Sequence, residues 1–472
     1  MRLTSRLRAL AGLAALAVPL SVAAATGPAG AATSTGEWPQ FGQSARHLNT
    51  NPAEQTFSPG DVGRLRTLYT ADFGSNTASE GGPVVSNGVL YVAGFDGYLD
   101  AYASKGCGRS PCPPLWRGAT GNDITSTPAV AGGLVLIGSA DHLLYAFPAA
   151  GCGAALCAPR WKAQLADAVI DSSVAVANGV AYVGDYGGHL YAFTAAGCGA
   201  ATCKPLWVGQ GQIPPGATER IGAPAVGNGS VYVTTFLSTP DLFTGRLLVF
   251  PAGGCGRANC APTWTADIGG PAGTTAAPAV TSDTVYTTSG TLFGNGVNTN
   301  FHLMAFPAAG CGRKTCTPLR TYDTGDGGAS GAPAVSGGMV FATTQGSPDP
   351  NTVGVVAAYP AAGCGKAQCE PVWTGINFTS GFASAPSVVG GVVFVGKGPA
   401  TLTAANTPDA ALYAFTATGC GAATCKPISV LELSTYQAYF GAPLAIGEGK
   451  IFMASNDNIT GRSLVYAIGL TG

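Results

Sequence analysis

The motif Cys-Gly-x-x-x-Cys occurs seven times and uses all 14 cysteines of the 472-residue chain. The pairs are Cys107/Cys112, Cys152/Cys157, Cys198/Cys203, Cys255/Cys260, Cys311/Cys316, Cys364/Cys369 and Cys420/Cys425. They recur every 45 to 57 residues, so the chain is a repeat array and the repeat sets the fold. Residues 190–207, LYAFTAAGCGAATCKPLW, show the local pattern. An apolar strand enters a Gly-rich turn with two cysteines, and a second strand leaves it ending in Trp.

Each repeat has four parts. One strand ends on an aromatic: Trp116, Trp161, Trp207, Trp264 and Trp373 stand four residues after the second Cys, with Arg320 and Ser429 as exceptions. Next comes Pro-x-Val, at Pro83, Pro128, Pro224, Pro278, Pro333 and Pro386, varied at Val174 and Pro443. A short turn follows, often Asn-Gly as in Asn87-Gly88, Asn178-Gly179 and Asn228-Gly229, the strongest short hairpin signal. It leads to a strand such as Val231-Tyr232-Val233 and then to Leu-Tyr-Ala-Phe. Eight units of four short strands predict an all-β, eight-bladed β-propeller of four-stranded antiparallel blades. Both faces of Leu190-Tyr191-Ala192-Phe193 are apolar, which suits blades packed on both sides. A linear solenoid would want polar end repeats, and none is evident. The order of parts also predicts closure, with residues 66–72 pairing with 464–468 and leaving no open edge between the termini.

Arg2, Arg6 and Arg8 precede an apolar run over residues 9–25 and small-residue cleavage options. This reads as a secretory signal over residues 1–32, followed by an N-terminal arm over 33–62 and the propeller over 63–472. Removing the signal leaves a mildly acidic chain without a Lys/Arg cluster, which excludes the basic footprint of nucleic-acid binding. No later segment reads as a membrane span. Fourteen cysteines in an exported chain imply seven disulfides within the Cys turns, each stapling a hairpin between the third and fourth strands. A structural zinc needs four ligands; seven pairs spread over successive blades do not supply them, and Cys-x-x-Cys is absent.

The order Pro-x-Val, Val-Tyr-Val-Gly, Asp-Gly-x-Leu-Tyr-Ala-Phe and Trp resembles the quinoprotein alcohol dehydrogenase-like propellers with PQQ-like repeats, where PQQ is pyrroloquinoline quinone. The arm is similar to the start of the secreted dehydrogenases of that group, through Trp38-Pro39-x-Phe41-Gly42, Asn51-Pro52 and Asp61-Val62-x-x-Leu65. Where that group usually has Ala-x-Thr-Gly-Lys before its Trp, this chain has Ala-x-Gly-Cys-Gly-x-x-x-Cys. The resemblance implies PQQ and calcium as possible cofactors, held by Glu, Asn and Asp near the channel mouth. The adjacent cysteine pair that covers the quinone in its alcohol dehydrogenases is absent.

The Cys turns and Asn-Gly turns fall on one uniform rim. The opposite rim carries connections that lengthen in the last five blades, including residues 236–245 and 456–461. Function normally resides on variable loops over a rigid scaffold. The candidate ligand-binding residues there are Glu80, Asp123, Asp171, Glu219, Arg220, Asp326, Asn377 and Tyr439. No catalytic or metal-binding set is assigned. The expectation is a secreted, monomeric, non-catalytic scaffold binding a small molecule, a glycan or a cell-envelope protein. The alternative is a PQQ- and calcium-dependent alcohol dehydrogenase.

Overall fold

The four apolar runs of each repeat become four antiparallel strands, and eight repeats close into an eight-bladed β-propeller. The computed structural model describes residues 36–75, 81–170, 172–239, 243–269, 277–289, 302–324, 329–344, 353–375, 378–379, 383–397, 410–433, 443–457 and 462–471. Blade 3 shows the plan, from the channel outward: Ala175–Ala177, Val180–Gly184, His189–Thr194 and Trp207–Gln210. Asn178 and Gly179 join its first two strands, both with positive φ, as a tight hairpin turn requires. Leu190, Ala192 and Phe193 are fully buried and Tyr191 nearly so. Alternate side chains therefore enter different inter-blade cores, with Tyr191 and Phe193 against blade 2 and Leu190 and Ala192 against blade 4.

Closure follows the expected pairing. Leu65–Ser75 runs antiparallel to Arg462–Leu470, with Arg66 opposite Gly469 and Asp72 opposite Leu464. The N-terminal strand thus becomes the outermost strand of blade 8, and the solenoid alternative is excluded.

All seven expected disulfides form: Cys107–Cys112, Cys152–Cys157, Cys198–Cys203, Cys255–Cys260, Cys311–Cys316, Cys364–Cys369 and Cys420–Cys425. Their Cα–Cα separations are 5.6–5.8 Å, inside the usual range for such bridges. Each lies, as expected, in the connection between the third and fourth strands of its blade, and it also reaches the neighbouring blade. In five loops the second Cys and the residue before it form a two-residue strand that pairs in parallel with the outermost strand of the preceding blade. Leu156–Cys157 pairs with Arg117 and Gly118, Asn259–Cys260 with Val208 and Gly209, and Thr315–Cys316 with Thr265 and Ala266. Gln368–Cys369 and Thr424–Cys425 repeat this on blades 5 and 6. Single bridges, Ala71 to Cys112 and Lys162 to Thr202, serve blades 8 and 2.

Cys203 shows this second contact. It is 5 % exposed and packs with Trp161 and Ala163 in the core between blades 2 and 3. Its backbone donates to the Lys162 carbonyl of blade 2 at 2.9 Å, and its Sγ accepts from the Cys198 backbone at 3.0 Å. The physical reason is edge pairing. The outer strand of blade 2 has backbone groups without a partner in its own sheet, and the loop of blade 3 supplies them. Each disulfide loop is therefore a clasp over its neighbour's open edge.

The clasp also explains the Gly before each first Cys. Gly254 has φ +77°, and a Cβ there would stand 2.6 Å from Cδ1 of Trp207 in the preceding blade. Gly151 on Trp116, Gly197 on Trp161, Gly310 on Trp264 and Gly419 on Trp373 repeat the contact. The exceptional Arg320 keeps it by another means, donating from Nη1 to the Ala362 carbonyl beside Gly363. Blade 8 has no Cys loop to give. The outermost strand of blade 7, Ser429–Glu432, instead meets the 3-10 turn Val62–Arg64.

The arm is ordered, and it forms a ring along the inner edges of the blades. Trp38 exchanges two 2.9 Å backbone hydrogen bonds with Val85 of blade 1. Val130 donates to the Pro39 carbonyl at 2.7 Å, and Val176 donates to Oε1 of Gln40 at 2.8 Å. Val226, Val280, Val335 and Val388 donate to the carbonyls of Ala45, Arg46, Leu48 and Asn49 at 2.6–2.9 Å. At blade 8, Glu448 donates to Gly36 and Asn51 Nδ2 donates to Ile446 at 2.9 Å. Every valine in this series is the Val of a Pro-x-Val motif or its Val174 variant. Phe41 clusters with Ala223, Ala277 and Ala332 of three successive blades, and its ring meets His47 edge-on at 4.8 Å.

His47 is fully buried, and its ring nitrogens have no hydrogen-bond partner among the described residues. Burial lowers its pKa to about 3, because the charged form is disfavoured away from water. Below the unfolded value of 6.5 the unfolded chain takes up a proton that the folded chain refuses. This contribution to stability is therefore present above pH 6.5 and declines as pH falls towards 3. Asn tolerates the positive φ of 54° at this position, so His47→Asn should flatten the decline, as urea unfolding at a series of pH values would show.

A matched pair of glycines tests the clasp. Gly254 and Gly256 have φ of +77° and +74°, and nothing lies within 4 Å of a Cβ at Gly256. Gly256→Ala should destabilise by about 1 kcal/mol through backbone strain alone. Gly254→Ala should add a further ~1–3 kcal/mol from overpacking on Trp207. Equal midpoints in denaturant would remove the Trp–Gly contact from the account.

Candidate functional site

The chain's turns sort into two rims. Ala195 donates to Gly179 and Ala252 to Gly229, each at 2.9 Å. These bonds tie the start of each Cys loop to its blade's first turn, so both lie on the clasped rim. The opposite rim carries the turns between the second and third strands and the connections between blades. On it, strands run into the expected loop over residues 236–245: Ser230–Ser238 pairs with Phe243–Pro251 out to Ser238 opposite Phe243. Lys450–Asp457 likewise pairs with Arg462–Leu470 out to Asp457 opposite Arg462. Strand patterning at these positions continues past the usual blade length, which a reading from loop spacing misses.

Of the eight candidate residues, Glu80, Asp171, Asp326, Asn377 and Tyr439 lie outside the described residues. Asp123 is exposed, and its carbonyl accepts from Ala140 at 2.9 Å and from Ser139 Oγ at 3.2 Å. These bonds fasten the connection to the rim turn of blade 2. Glu219 and Arg220 stand in the short strand Thr218–Ile221, which pairs with the hairpin extension of blade 4. They were expected in a connecting loop. Cross-strand pairing to residues 235–238 makes them part of the sheet instead.

Successive strand residues face opposite sides, and this separates the two. Glu219 is 1 % exposed. Its Oε1 accepts from Arg246 Nε at 2.9 Å and also from Nη2. Arg246 Nη1 donates to the Gln212 carbonyl at 2.9 Å. Glu219 Oε2 has no hydrogen-bond partner among the described residues. Arg220 faces the other way, half-buried, directly across the strand pair from Phe236. Its guanidinium carbon lies 3.8 Å from the Tyr186 ring centroid and 5.0 Å from that of Phe236.

Other rim carboxylates are also engaged within the fold. Arg117 bridges Asp96, at 2.9 Å, and the buried Asp100 in blade 1. Asp185 is fully buried in blade 3. It accepts from the backbones of Gly187, His189 and Asp167 at 2.8–3.2 Å, from the Tyr191 hydroxyl at 2.8 Å, and lies 3.1 Å from His189 Nδ1. That contact raises the His189 pKa. Asp141 in blade 2 accepts from Gly121 and Leu143. Sequence reasoning did not single out Arg117, Asp100, Asp185 or Arg246. The repeated Asp at this turn, Asp96, Asp141 and Asp185, was the available signal.

Comparison with known proteins accords with this architecture. A family model described as "Outer membrane protein assembly factor BamB" matches residues 64–294. Among solved structures, the quinohemoprotein alcohol dehydrogenase of Comamonas testosteroni is similar with TM-score 0.64 at 14 % identity, over 93 % of this chain and 81 % of that one. A europium-containing methanol dehydrogenase gives 0.64 at 13 %, over 93 % and 99 %. BamB from Moraxella catarrhalis gives 0.53 at 13 %, over 86 % and 98 %. No curated protein matches the sequence. The chain thus shares its β-propeller fold with quinoprotein dehydrogenases and BamB, and about half of it matches the BamB family model.

A quinone with Ca²⁺ would need several oxygen donors around one point. The described residues do not fit that group. Glu219 is neutralised by Arg246, Asp123 is exposed on blade 2, and among the described residues no three His, Cys, Asp or Glu side chains come together to hold a metal ion.

The Glu219–Arg246 pair should be structural. Arg246→Met should destabilise by about 3 kcal/mol, since it strands a buried carboxylate. Adding Glu219→Leu should recover most of that loss. A double-mutant cycle from urea unfolding measures both, and additive losses would show that the pair is not coupled.

Proposed function

We propose that the protein is a secreted, non-catalytic scaffold that binds a ligand or partner on its unclasped rim. The observation that carries this reading is the engagement of the rim carboxylates in the blades themselves. Asp96, Asp100, Asp141, Asp185 and Glu219 bind arginines, tyrosines or backbone amides of their own blade, and so serve blade construction. The match to an assembly-factor family model supports the same reading. Seven disulfides suit an oxidising compartment. The basic, then apolar, first 32 residues would direct export.

The test is a calorimetric titration of PQQ, with Ca²⁺ present, into the oxidised protein, followed by an assay for alcohol oxidation with an artificial electron acceptor. The scaffold reading expects neither saturable heat nor turnover. One-to-one binding with turnover would replace it with a quinoprotein dehydrogenase.

A further inference from the structure

The arginines of the unclasped rim follow a rule with one departure. Arg117 pairs with Asp96 and Asp100, Arg246 with Glu219, and Arg462 with Asp72. Arg220 has neither a carboxylate nor a hydrogen-bond acceptor among the described residues. Its side chain instead lies against Tyr186 from blade 3 and Phe236 from its own blade. Phe236 stands in a strand, and Tyr186 in the rim turn of blade 3. Phe236 is 7 % exposed and sits opposite Arg220 in register. Tyr186 follows the buried Asp185, and its backbone donates to Ala168 at 2.9 Å.

We infer that Arg220 is an oxyanion-binding subsite at the junction of blades 3 and 4, taking a carboxylate or phosphate group of the rim's ligand. A guanidinium stacked on aromatic rings keeps its charge and loses side-chain freedom. Stacking uses the face of the plane and leaves the N–H edge for a bidentate acceptor. Glu219 does not compete for it, because it points to the other side of the strand and is held by Arg246. This inference rests on the binding-scaffold reading and gives that rim its first chemical preference.

The experiment measures melting temperature while sodium succinate or inorganic phosphate is added, with sodium chloride at matched ionic strength as reference. Both salts also stabilise proteins by exclusion, without saturating and independently of any one side chain. The inference expects a saturable rise with at least one anion, lost in Arg220→Gln and kept in Asp123→Asn. Which anion acts separates carboxylate from phosphate. Should Arg220→Gln fail to fold, Arg220→Lys retains charge without the planar fork and should bind about tenfold more weakly. No rise beyond chloride, or the same rise in Arg220→Gln, makes the stack purely structural and overturns the subsite. That result leaves the scaffold reading intact, whereas PQQ binding with turnover would overturn the scaffold itself.

Discussion

A blade of four antiparallel strands has two bare edges, and the whole structure depends on how they are covered. Unpaired edge strands invite pairing with other chains. Here the outer edge of a blade receives a two-residue parallel strand from the next blade's disulfide loop, as Asn259–Cys260 does for Val208 and Gly209. The bridge closes so short a loop that the chain-entropy gain is only about 2 kcal/mol each. Its larger effect is geometric. It holds an otherwise irregular turn extended, so that Ala258 can accept from Val208 at 2.8 Å and Gly254 can close on Trp207. Trp, Gly and the two cysteines thus form one device divided between neighbouring blades.

The inner edges are covered by the arm. From Gly36 to Asn51 it meets all eight blades, mostly by accepting from the valine of each Pro-x-Val. Proline lacks an N–H, so the next outward-facing donor on the inner strand is that valine, and the arm takes it. Closure by the N-terminal strand has a consequence at the outer edge. Since blade 8 borrows Leu65–Ser75 from the start of the chain, it has no Cys loop to offer blade 7. The turn Val62–Arg64 takes the place of the clasp there, leaving Val430 45 % exposed. Seven disulfides for eight blades is therefore a result of the topology.

The blade count, the closing pairs Arg66 with Gly469 and Asp72 with Leu464, and the division into two rims were legible because each depends on a pattern repeated along the chain. Clasping was not. The cysteine pairs could be read from their spacing, but the burial of Cys203 against blade 2 could not. A hydrogen bond from Val208 to Ala258 and one within a blade leave the same residues in the sequence, and only the third dimension distinguishes them. The arm lay beyond pattern reading for a different reason: each of its residues meets a different blade, so it has no period of its own. At the rim, Glu219 and Arg220 looked alike as polar residues before a Pro-x-Val. Strand pairing to residues 235–238, which loop spacing concealed, sends one to a buried ion pair and the other to an aromatic stack.

Covering both edges of every blade leaves the unclasped rim as the part of the fold free to vary. There the second and third strands of blade 4 run on to Ser238 and Phe243, and Val353–Gly354 pairs with Phe378–Thr379 as a separate ribbon. Such additions leave the clasps and arm unaltered, since those act at the outer edges and at the other end of the channel wall. The same propeller can then serve a dehydrogenase or an assembly factor, because fold alone does not decide function. What decides it is whether rim carboxylates converge on a ligand or secure the blades. Among the described residues Asp100, Asp185 and Glu219 secure the blades, and Arg220 is the rim arginine without a carboxylate partner.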